Sequence, residues 1–129
     1  MISRKYPSTR LRRLRQSESI IDLTSESTVS KNDLIQPVFV KEGLSDKEHI
    51  ESMPGIFRFG EDSVLKEIEE MNQLGIRAIA IFPVVDPSKK DPKGTEATRR
   101  DNFISRVLGS IKSKFPNILV IADVALDPY

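Results

Sequence analysis

The stretch IRAIAIFPVV, residues 76–85, contains one charged side chain in ten positions. A strand without polar alternation is buried on both faces, which is typical of a parallel sheet. The strand directly follows Gly75, and upstream of that glycine apolar residues recur at helical spacing over 62–74. These residues therefore predict a helix capped by Asp62 or Ser63, a stop at Gly75 and a buried parallel strand in succession.

The same pattern occurs again downstream. A second helix is predicted over 102–115, with Asp101 as its N-terminal cap. A third strand, again apolar and expected to be buried, follows over 118–126. The chain thus repeats a helix-then-strand unit, and this alternation is typical of parallel α/β architecture.

An earlier strand is predicted over 34–40, although Pro37 indicates an edge or a bulge because proline cannot donate a ladder hydrogen bond. Residues 43–59 are predicted to be a long loop with a turn at 53–55. The three strands begin at 34, 76 and 118, each 42 residues after the last. Eight such units would take roughly 340 residues, the size of a (β/α)₈ barrel with insertions.

The predicted fold class is therefore α/β, an N-terminal arm over 1–33 followed by the first three β/α units of a TIM barrel, incomplete, over 34–129. A free-standing three-stranded sheet would leave apolar outer strands unpaired, which favours aggregation. The sequence is expected to be part of a longer barrel.

Composition excludes several classes of protein. The 129 residues are 38% hydrophobic and 30% charged, which is ordinary for one soluble domain. No apolar run approaches the roughly 20 residues of a membrane span, and no secretory signal is present, so the cytoplasm is the expected compartment. The absence of cysteine excludes disulfides, thiolate metal sites and cysteine nucleophiles.

Charge is unevenly distributed along the chain. Residues 1–15 hold six bases and no acid, whereas the remainder has a net charge of −5. Such an arm is compatible with polyanion binding, with an organelle transit peptide, with docking on an acidic surface of a neighbouring subunit, or with a solvated tail. Composition alone leaves these four interpretations open.

Ligands of parallel α/β folds bind beyond the carboxyl ends of the strands. Asp123 and Asp127 lie there, after the third strand, at a spacing that lets two carboxylates share a metal ion or a proton. The alternative is a structural turn, because an Asp-Pro pair often begins one. Other polar residues near these ends are expected to be solvated rather than functional: Lys89, Lys90, Lys93 and His49.

Six stretches, taken in order, resemble the N-terminal part of the porphobilinogen synthase (delta-aminolevulinic acid dehydratase) family over nearly the whole chain. They are RLRRLR (10–15), DLIQPVFV (33–40), MPGIFR (53–58), LGI leading into IFPV (74–76 and 81–84), KGTEA (93–97) and DVALDPY (123–129).

The resemblance implies a lyase that condenses two molecules of 5-aminolevulinate to porphobilinogen with loss of water, in tetrapyrrole and haem biosynthesis. It implies a homo-octamer in which the arm wraps a neighbouring subunit, so that no nucleic acid or membrane partner is expected. The docking residues would be Arg10, Arg12, Arg13 and Arg15. The Schiff-base lysines of the family lie beyond Tyr129, so this segment alone is expected to be inactive.

The resemblance also bears on metal. Many relatives carry a three-cysteine zinc site whose first two cysteines would fall at Ala125 and Asp127, so catalytic zinc is not expected here. The aspartate-type sequence resembles members stimulated by magnesium, which prefers oxygen ligands. Asp123 would then be a catalytic residue and Asp127 would occupy the metal position. The alternative function is a short non-catalytic interaction module that docks through its basic arm.

Overall fold

The structure is a computed structural model that describes residues 5–9, 12–126 and 129. It divides into two compact units, Met1–Ser30 and Lys31–Tyr129. Among the described residues, no helix combines the length and the apolar character that crossing a membrane requires.

The first unit contains a helix within the predicted arm. A 3₁₀ turn at Arg13–Arg15 precedes helix α1 (Glu18–Thr24), and Ser17 caps that helix by accepting a hydrogen bond from the Ile20 N–H at 3.4 Å. Sequence reasoning predicted an arm over 1–33 and did not identify α1, because a seven-residue helix is too short for its periodicity to stand out. None of its side chains is buried.

The second unit is built on a five-stranded sheet of order β2-β3-β1-β4-β5, in which only the β2–β3 pair is antiparallel. Its elements, in chain order, are β1 (Gln36–Lys41), β2 (Lys47–His49), β3 (Phe57–Phe59), α2 (Glu61–Gln73), β4 (Ala78–Val84), α3 (Thr95–Thr98), α4 (Phe103–Lys114) and β5 (Leu119–Ala122).

The prediction of a long loop over 43–59 was wrong, because β2 and β3 lie within it. Each strand has only three residues, too few to show a period. Their structure comes from pairing: β3 runs parallel to β1, with Phe39 opposite Arg58, and the turn closes through a 3.0 Å hydrogen bond from the Ile50 N–H to the Ile56 carbonyl.

Pro37 lies inside β1, opposite Ala80 of β4. The β3 pairing begins only at Phe39, so Pro37 occupies a part of β1 with a single neighbouring strand among the described residues. Its missing N–H is tolerated there, as the sequence suggested for an edge position.

The N-cap of α2 lies two or three residues earlier than predicted. Gly60, not Asp62 or Ser63, is its N-cap. The Ser63 hydroxyl instead donates to the carbonyls of Asp46 (2.8 Å) and Gly60 (3.3 Å), which fastens the helix start to the preceding loop.

The end of α2 is as expected. Gly75 has a φ of 87°, which an L side chain rarely adopts. Its N–H donates to the Asn72 carbonyl at 3.0 Å, and the Ile76 N–H donates to the Met71 carbonyl at 3.1 Å. This pair of bonds is the Schellman motif, and it turns the chain directly from α2 towards β4.

The core lies where α2 and α4 pack on the sheet. Its fully buried members are Val40, Val64, Ile68, Ile79, Ile81, Val107 and Ile111. The predicted helical faces supply most of them, but Leu74, placed on the α2 face, is 64% exposed. Leu74 is the C-cap, one position past Gln73, the last residue of α2.

The last strand differs most from expectation. It was predicted to be buried over 118–126, but β5 spans Leu119–Ala122, and Leu119 is 60% and Ile121 40% exposed. Among the described residues β5 has one neighbour, β4, and no helix follows it. Its apolar sequence therefore has no cover on its outer side.

Candidate active site

A cavity of about 1010 Å³ opens at the carboxyl ends of the parallel strands. Lys41 from the end of β1, Pro83 and Val84 from β4, and Ala122 from β5 contribute to its lining. Because ligands of parallel α/β folds bind at this edge of the sheet, the cavity lies where the sequence predicted a site.

Asp123 lines this cavity directly after β5. Its side chain is exposed, and no hydrogen bond or ion pair joins it to another described residue. The carboxylate is therefore available to a ligand. Ala125, half-buried, lines the same cavity. Asp127, the predicted metal residue, lies outside the described residues, so its pairing with Asp123 stays a prediction.

Glu42 forms an ion-pair centre on one wall of the cavity. It follows β1 and accepts hydrogen bonds from Lys89 and from Arg106, the latter at 2.7 Å. The bonds from Lys89 and then Arg106 lower the pKa of the Glu42 carboxyl below its usual value.

The same contact has a consequence for Lys89. Its bond to Glu42 raises the pKa of the Lys89 ammonium, which keeps it charged. A lysine that forms a Schiff base must be neutral. The ion pair with Glu42 therefore disfavours Lys89 in that role, and the place of the family's Schiff-base lysines beyond Tyr129 stays a prediction.

A second carboxylate, Glu48, joins two other cations of the cavity wall. It pairs with Lys41 at 2.7 Å and with Arg58 at 2.8 Å, and these hydrogen bonds lower the pKa of its carboxyl. Arg58 and Glu48 were not singled out from the sequence, because both fall in the segment predicted as a loop. The alternation of charge in β2 and β3 is the only sequence signal that marks them.

The polar segment 86–101 has more internal order than a solvated loop. Asp86 accepts hydrogen bonds from the Ser88 N–H (2.8 Å) and hydroxyl (2.6 Å). Asp91 accepts from the backbone N–H groups of Lys93 (2.9 Å) and Thr95 (3.1 Å). These aspartates fold the segment into two turns. Hydrogen bonds from Ser88 lower the pKa of the Asp86 carboxyl, and hydrogen bonds from the side chain and then the backbone of Thr95 lower that of Asp91.

Tyr129 is a cavity residue that sequence reasoning missed. It is half-buried, lines the cavity, and its N–H donates to the Leu126 carbonyl at 3.1 Å. Burial raises the pKa of its phenol, and the nearby carboxylates of Glu96 and Asp91 act in the same direction. No local pattern predicts this position, because the contact is tertiary.

The described residues alone do not form a magnesium site. Within the described residues, no three His, Asp or Glu side chains gather in a way that could hold a metal ion. The other cavity carboxylates are already engaged: Glu42 with two cations, Asp86 with Ser88, and Glu96 with Arg99 at 3.1 Å.

The remaining predicted residues are spread over the two units. Arg12, Arg13 and Arg15 are exposed in the first unit, and Arg10 lies outside the described residues. Lys90 and Lys93 are exposed, as expected. His49 is exposed, contacts the Phe57 ring edge-on at 5.3 Å, and accepts a hydrogen bond from the Gly55 N–H at 3.4 Å, which indicates a structural role.

Comparisons with known proteins cover almost all of the chain. The family model described as delta-aminolevulinic acid dehydratase matches residues 8–129. The dehydratase of Chlamydia pneumoniae is 43% identical over 122 residues, which are 95% of this chain and 37% of that protein. The dehydratase of Methanothermus sociabilis is 40% identical over 125 residues, 97% of this chain and 38% of that protein.

A solved structure agrees with these sequence matches. The Toxoplasma gondii ME49 delta-aminolevulinic acid dehydratase (porphobilinogen synthase), in complex with the reaction product porphobilinogen, superposes with a TM-score of 0.84 at 37% identity, covering 94% of this chain and 34% of that one. The chain thus spans little more than a third of the length of the relatives it matches, and its sheet corresponds to part of their TIM barrel. By sequence and by fold, it belongs to the delta-aminolevulinic acid dehydratase family.

Proposed function

We propose that this chain forms the N-terminal part of a porphobilinogen synthase, which condenses two 5-aminolevulinate molecules to porphobilinogen with loss of water. The observation that carries the proposal is the family match over 8–129, together with a cavity at the carboxyl edge of the sheet. The rest of the barrel, including the Schiff-base lysines, would come from sequence beyond this segment.

Asp123 is the catalytic residue that we propose within the segment. Its exposed carboxylate borders the cavity and is not neutralised by a described cation, so it can stabilise a cationic amine or accept a proton from the substrate. Because Lys89 is held by Glu42 and charged, we assign to this segment the carboxylate of Asp123 and to later strands the neutral Schiff-base lysines.

A fusion protein tests this proposal. Residues 1–129 are joined to the remaining sequence of the Chlamydia pneumoniae relative, which is 43% identical where the two overlap. We expect the fusion to form porphobilinogen from 5-aminolevulinate and the 129-residue chain alone to form none. Asp123→Asn should lower kcat by about 100-fold. Asp62→Asn, an exposed change in the first turn of α2, is the matched control.

Two results would contradict the proposal. Turnover by the 129-residue chain would show that the later strands are dispensable. A folded fusion without activity, combined with tight binding of the 129-residue chain to complete dehydratase subunits, would instead favour the interaction module.

Enzymes of this family use a metal ion, zinc or magnesium. We propose magnesium for this one, because the sequence has no cysteine and carries Asp127 where zinc-dependent relatives have a thiolate. The supporting experiment removes metal from the fusion with a chelator and restores Mg²⁺ or Zn²⁺ separately. Recovery with Mg²⁺ and loss of that recovery in Asp127→Asn would support the assignment, and recovery with Zn²⁺ alone would overturn it.

We also propose a cytoplasmic homo-octamer in which the basic arm docks on a neighbouring subunit. The exposed guanidinium groups of Arg12, Arg13 and Arg15 support such a role. Replacing these three by alanine in the fusion should reduce the mass measured by sedimentation. Because the barley relative is named as chloroplastic, a fluorescent fusion of the arm, imaged in plant cells, tests the organelle-transit interpretation.

A further inference from the structure

The segment 86–101 joins β4 to α4 and forms one wall of the cavity; we refer to it as the β4–α4 loop. It contributes Lys89, Glu96 and Ala97 to the cavity lining. No strand of the sheet pairs with it among the described residues. Side-chain contacts therefore contribute to its position over the sheet.

Glu42 provides such a contact from the sheet itself. It lies immediately after β1, and its two carboxylate oxygens hold different elements: Oε2 binds Lys89 of the loop, and Oε1 binds Arg106 of α4 at 2.7 Å. A single carboxylate thus ties the end of a central strand to both the loop and the helix that follows it. Hydrogen bonds between charged groups are about twice as strong as neutral ones.

The contact continues into the loop. Lys89 Nζ lies 3.8 Å from Glu96 Oε1, and the side chain of Glu96 is only 12% exposed. Glu96 in turn pairs with Arg99 at 3.1 Å. A line of alternating charges therefore runs from Glu42 through Lys89 to the inner side of the loop.

The loop supports the segment that carries Asp123. A Cβ atom at Gly94 would lie 3.4 Å from Leu126 Cδ2, so the Leu126 side chain rests against the loop backbone. Tyr129 lines the same cavity, and its N–H is bonded to the Leu126 carbonyl. A displacement of the loop would therefore be transmitted to Leu126 and, through its carbonyl, to Tyr129.

We propose that Glu42 is a positioning residue of the candidate active site, which holds the β4–α4 loop through Lys89 and thereby keeps the Asp123 segment against the cavity. The catalytic part of this inference rests on the proposed function. The mechanical part does not, because it concerns contacts within the chain alone.

Glu48 offers a matched control of the same chemistry. It is also a carboxylate held by two cations at the cavity, Lys41 at 2.7 Å and Arg58 at 2.8 Å. Neither of these partners belongs to the β4–α4 loop. Glu48→Gln also removes one negative charge that two cations hold, but it leaves the contact between Glu42 and Lys89 intact.

Native-state proteolysis measures the restraint directly. Trypsin cleaves after Lys93 within the loop, and the rate follows the population of locally open chains when reclosing is fast. We expect Glu42→Gln to accelerate cleavage of the Lys93–Gly94 bond by about fivefold to tenfold, with Glu48→Gln within about twofold of the unaltered chain. Cleavage after Arg13 in the first unit serves as an internal reference.

A second variant keeps the experiment decisive if Glu42→Gln fails to fold, as judged by circular dichroism. Lys89→Met removes the loop partner and should give the same acceleration. In the double variant the two effects should not multiply, because both remove one interaction. Multiplying effects, or equal rates in Glu42→Gln and Glu48→Gln, would overturn the proposal.

A spectroscopic measurement separates positioning from general loosening. The chain has two tyrosines and no tryptophan, so in a Tyr6→Phe background Tyr129 is the only strong fluorophore. Glu42→Gln should raise the acrylamide quenching constant of Tyr129 at least twofold, whereas Glu48→Gln should leave it unchanged. Unchanged quenching in Glu42→Gln would show that the loop does not support the Asp123 segment.

The fusion enzyme then tests the catalytic consequence separately. If the fusion with unaltered residues 1–129 is active, Glu42→Gln in that fusion should lower kcat by about tenfold, because the Asp123 segment would be misplaced. Unaltered kcat would overturn the positioning role. An inactive unaltered fusion would count against the proposed function and leave the proteolysis and quenching results to decide the restraint.

Discussion

Replacing Asn102 by alanine should destabilise this chain far more than replacing the neighbouring Asp101. Asn102 is 6% exposed, and its Oδ1 accepts a hydrogen bond from the Ser105 N–H at 2.9 Å. Its Nδ2 donates to the carbonyls of Glu96 (3.2 Å) and Ala97 (3.4 Å) in the preceding loop. One side chain therefore caps the helix and closes the loop that leads into it.

The expected magnitude follows from these three bonds. Loss of an N-cap side chain costs about 1 kcal/mol. The two bonds to the loop are long, and together they contribute about 1 kcal/mol more. Asn102→Ala should therefore lower the free energy of unfolding by about 2 kcal/mol, which urea titration followed by circular dichroism resolves.

Two further variants separate these contributions. Asn102→Asp retains the capping oxygen but loses the amide donor, and it should lie between the unaltered chain and Asn102→Ala. Asp101→Ala removes the residue that sequence reasoning placed at the cap. The side chain of Asp101 is 82% exposed and its described contact is an ion pair with Arg99, so the free energy of unfolding should change by less than about 0.5 kcal/mol.

Two outcomes would refute this reasoning. A free energy of unfolding for Asn102→Ala within 0.5 kcal/mol of the unaltered chain would show that the loop and helix are held elsewhere, since the expected loss is about four times larger. A larger effect for Asp101→Ala than for Asn102→Ala would restore Asp101 as the cap.

Three other predictions follow from particular contacts. The lowered carboxyl pKa values of Glu42 and Glu48 stabilise the fold above their unfolded value of 4.5, and this contribution is lost as pH falls through the folded values. The urea midpoint should therefore drop as pH falls below 4.5, and less so in the double glutamine variant. Gly75→Ala should cost about 1–2 kcal/mol in urea titration because its φ is 87° and a Cβ would meet a side chain at 3.1 Å; Gly109→Ala in α4, where nothing lies within 4 Å, should be neutral or stabilising. Ile121→Lys, on the open side of β5, should reduce self-association measured by sedimentation velocity.

Much of the second unit could be predicted from sequence because its signals are local and repeated. The apolar period of the two long helices, the glycine that ends α2 and the unbroken apolar run of β4 each indicate structure without knowledge of the neighbours. The N-cap residues of the helices were harder to predict from sequence. Asp101 and Asn102 are adjacent and both are good caps, and only the carbonyls of Glu96 and Ala97 in three dimensions favour Asn102.

The residues of the candidate site also fall into those that the sequence could predict and those that it could not. Asp123 could be identified because it follows a recognisable strand, and position after a strand is a topological property. Glu42, Arg58 and Tyr129 could not, because each gains its significance from a partner elsewhere in the sequence; Lys89, for example, lies 47 positions after Glu42. Contacts of that range leave no period or spacing in the chain.

The exposed side chains of β5 show that an apolar sequence pattern reflects the surroundings of a strand in the complete fold of its family. Residues 118–122 are all apolar, which predicts burial on both faces, and yet Leu119 and Ile121 are open to solvent. The pattern describes the environment of this strand in the family's barrel, whose members are nearly three times as long as this chain, where a further strand would pair with its outer edge. The structure describes the strand with β4 as its single neighbour. The disagreement is informative because Val120 packs on the core with the helices, whereas Leu119 and Ile121 lie on the opposite face of β5, which nothing among the described residues covers. Asp123 follows that same strand, so the side of the sheet that lacks cover here is also the side on which the proposed active site would be completed.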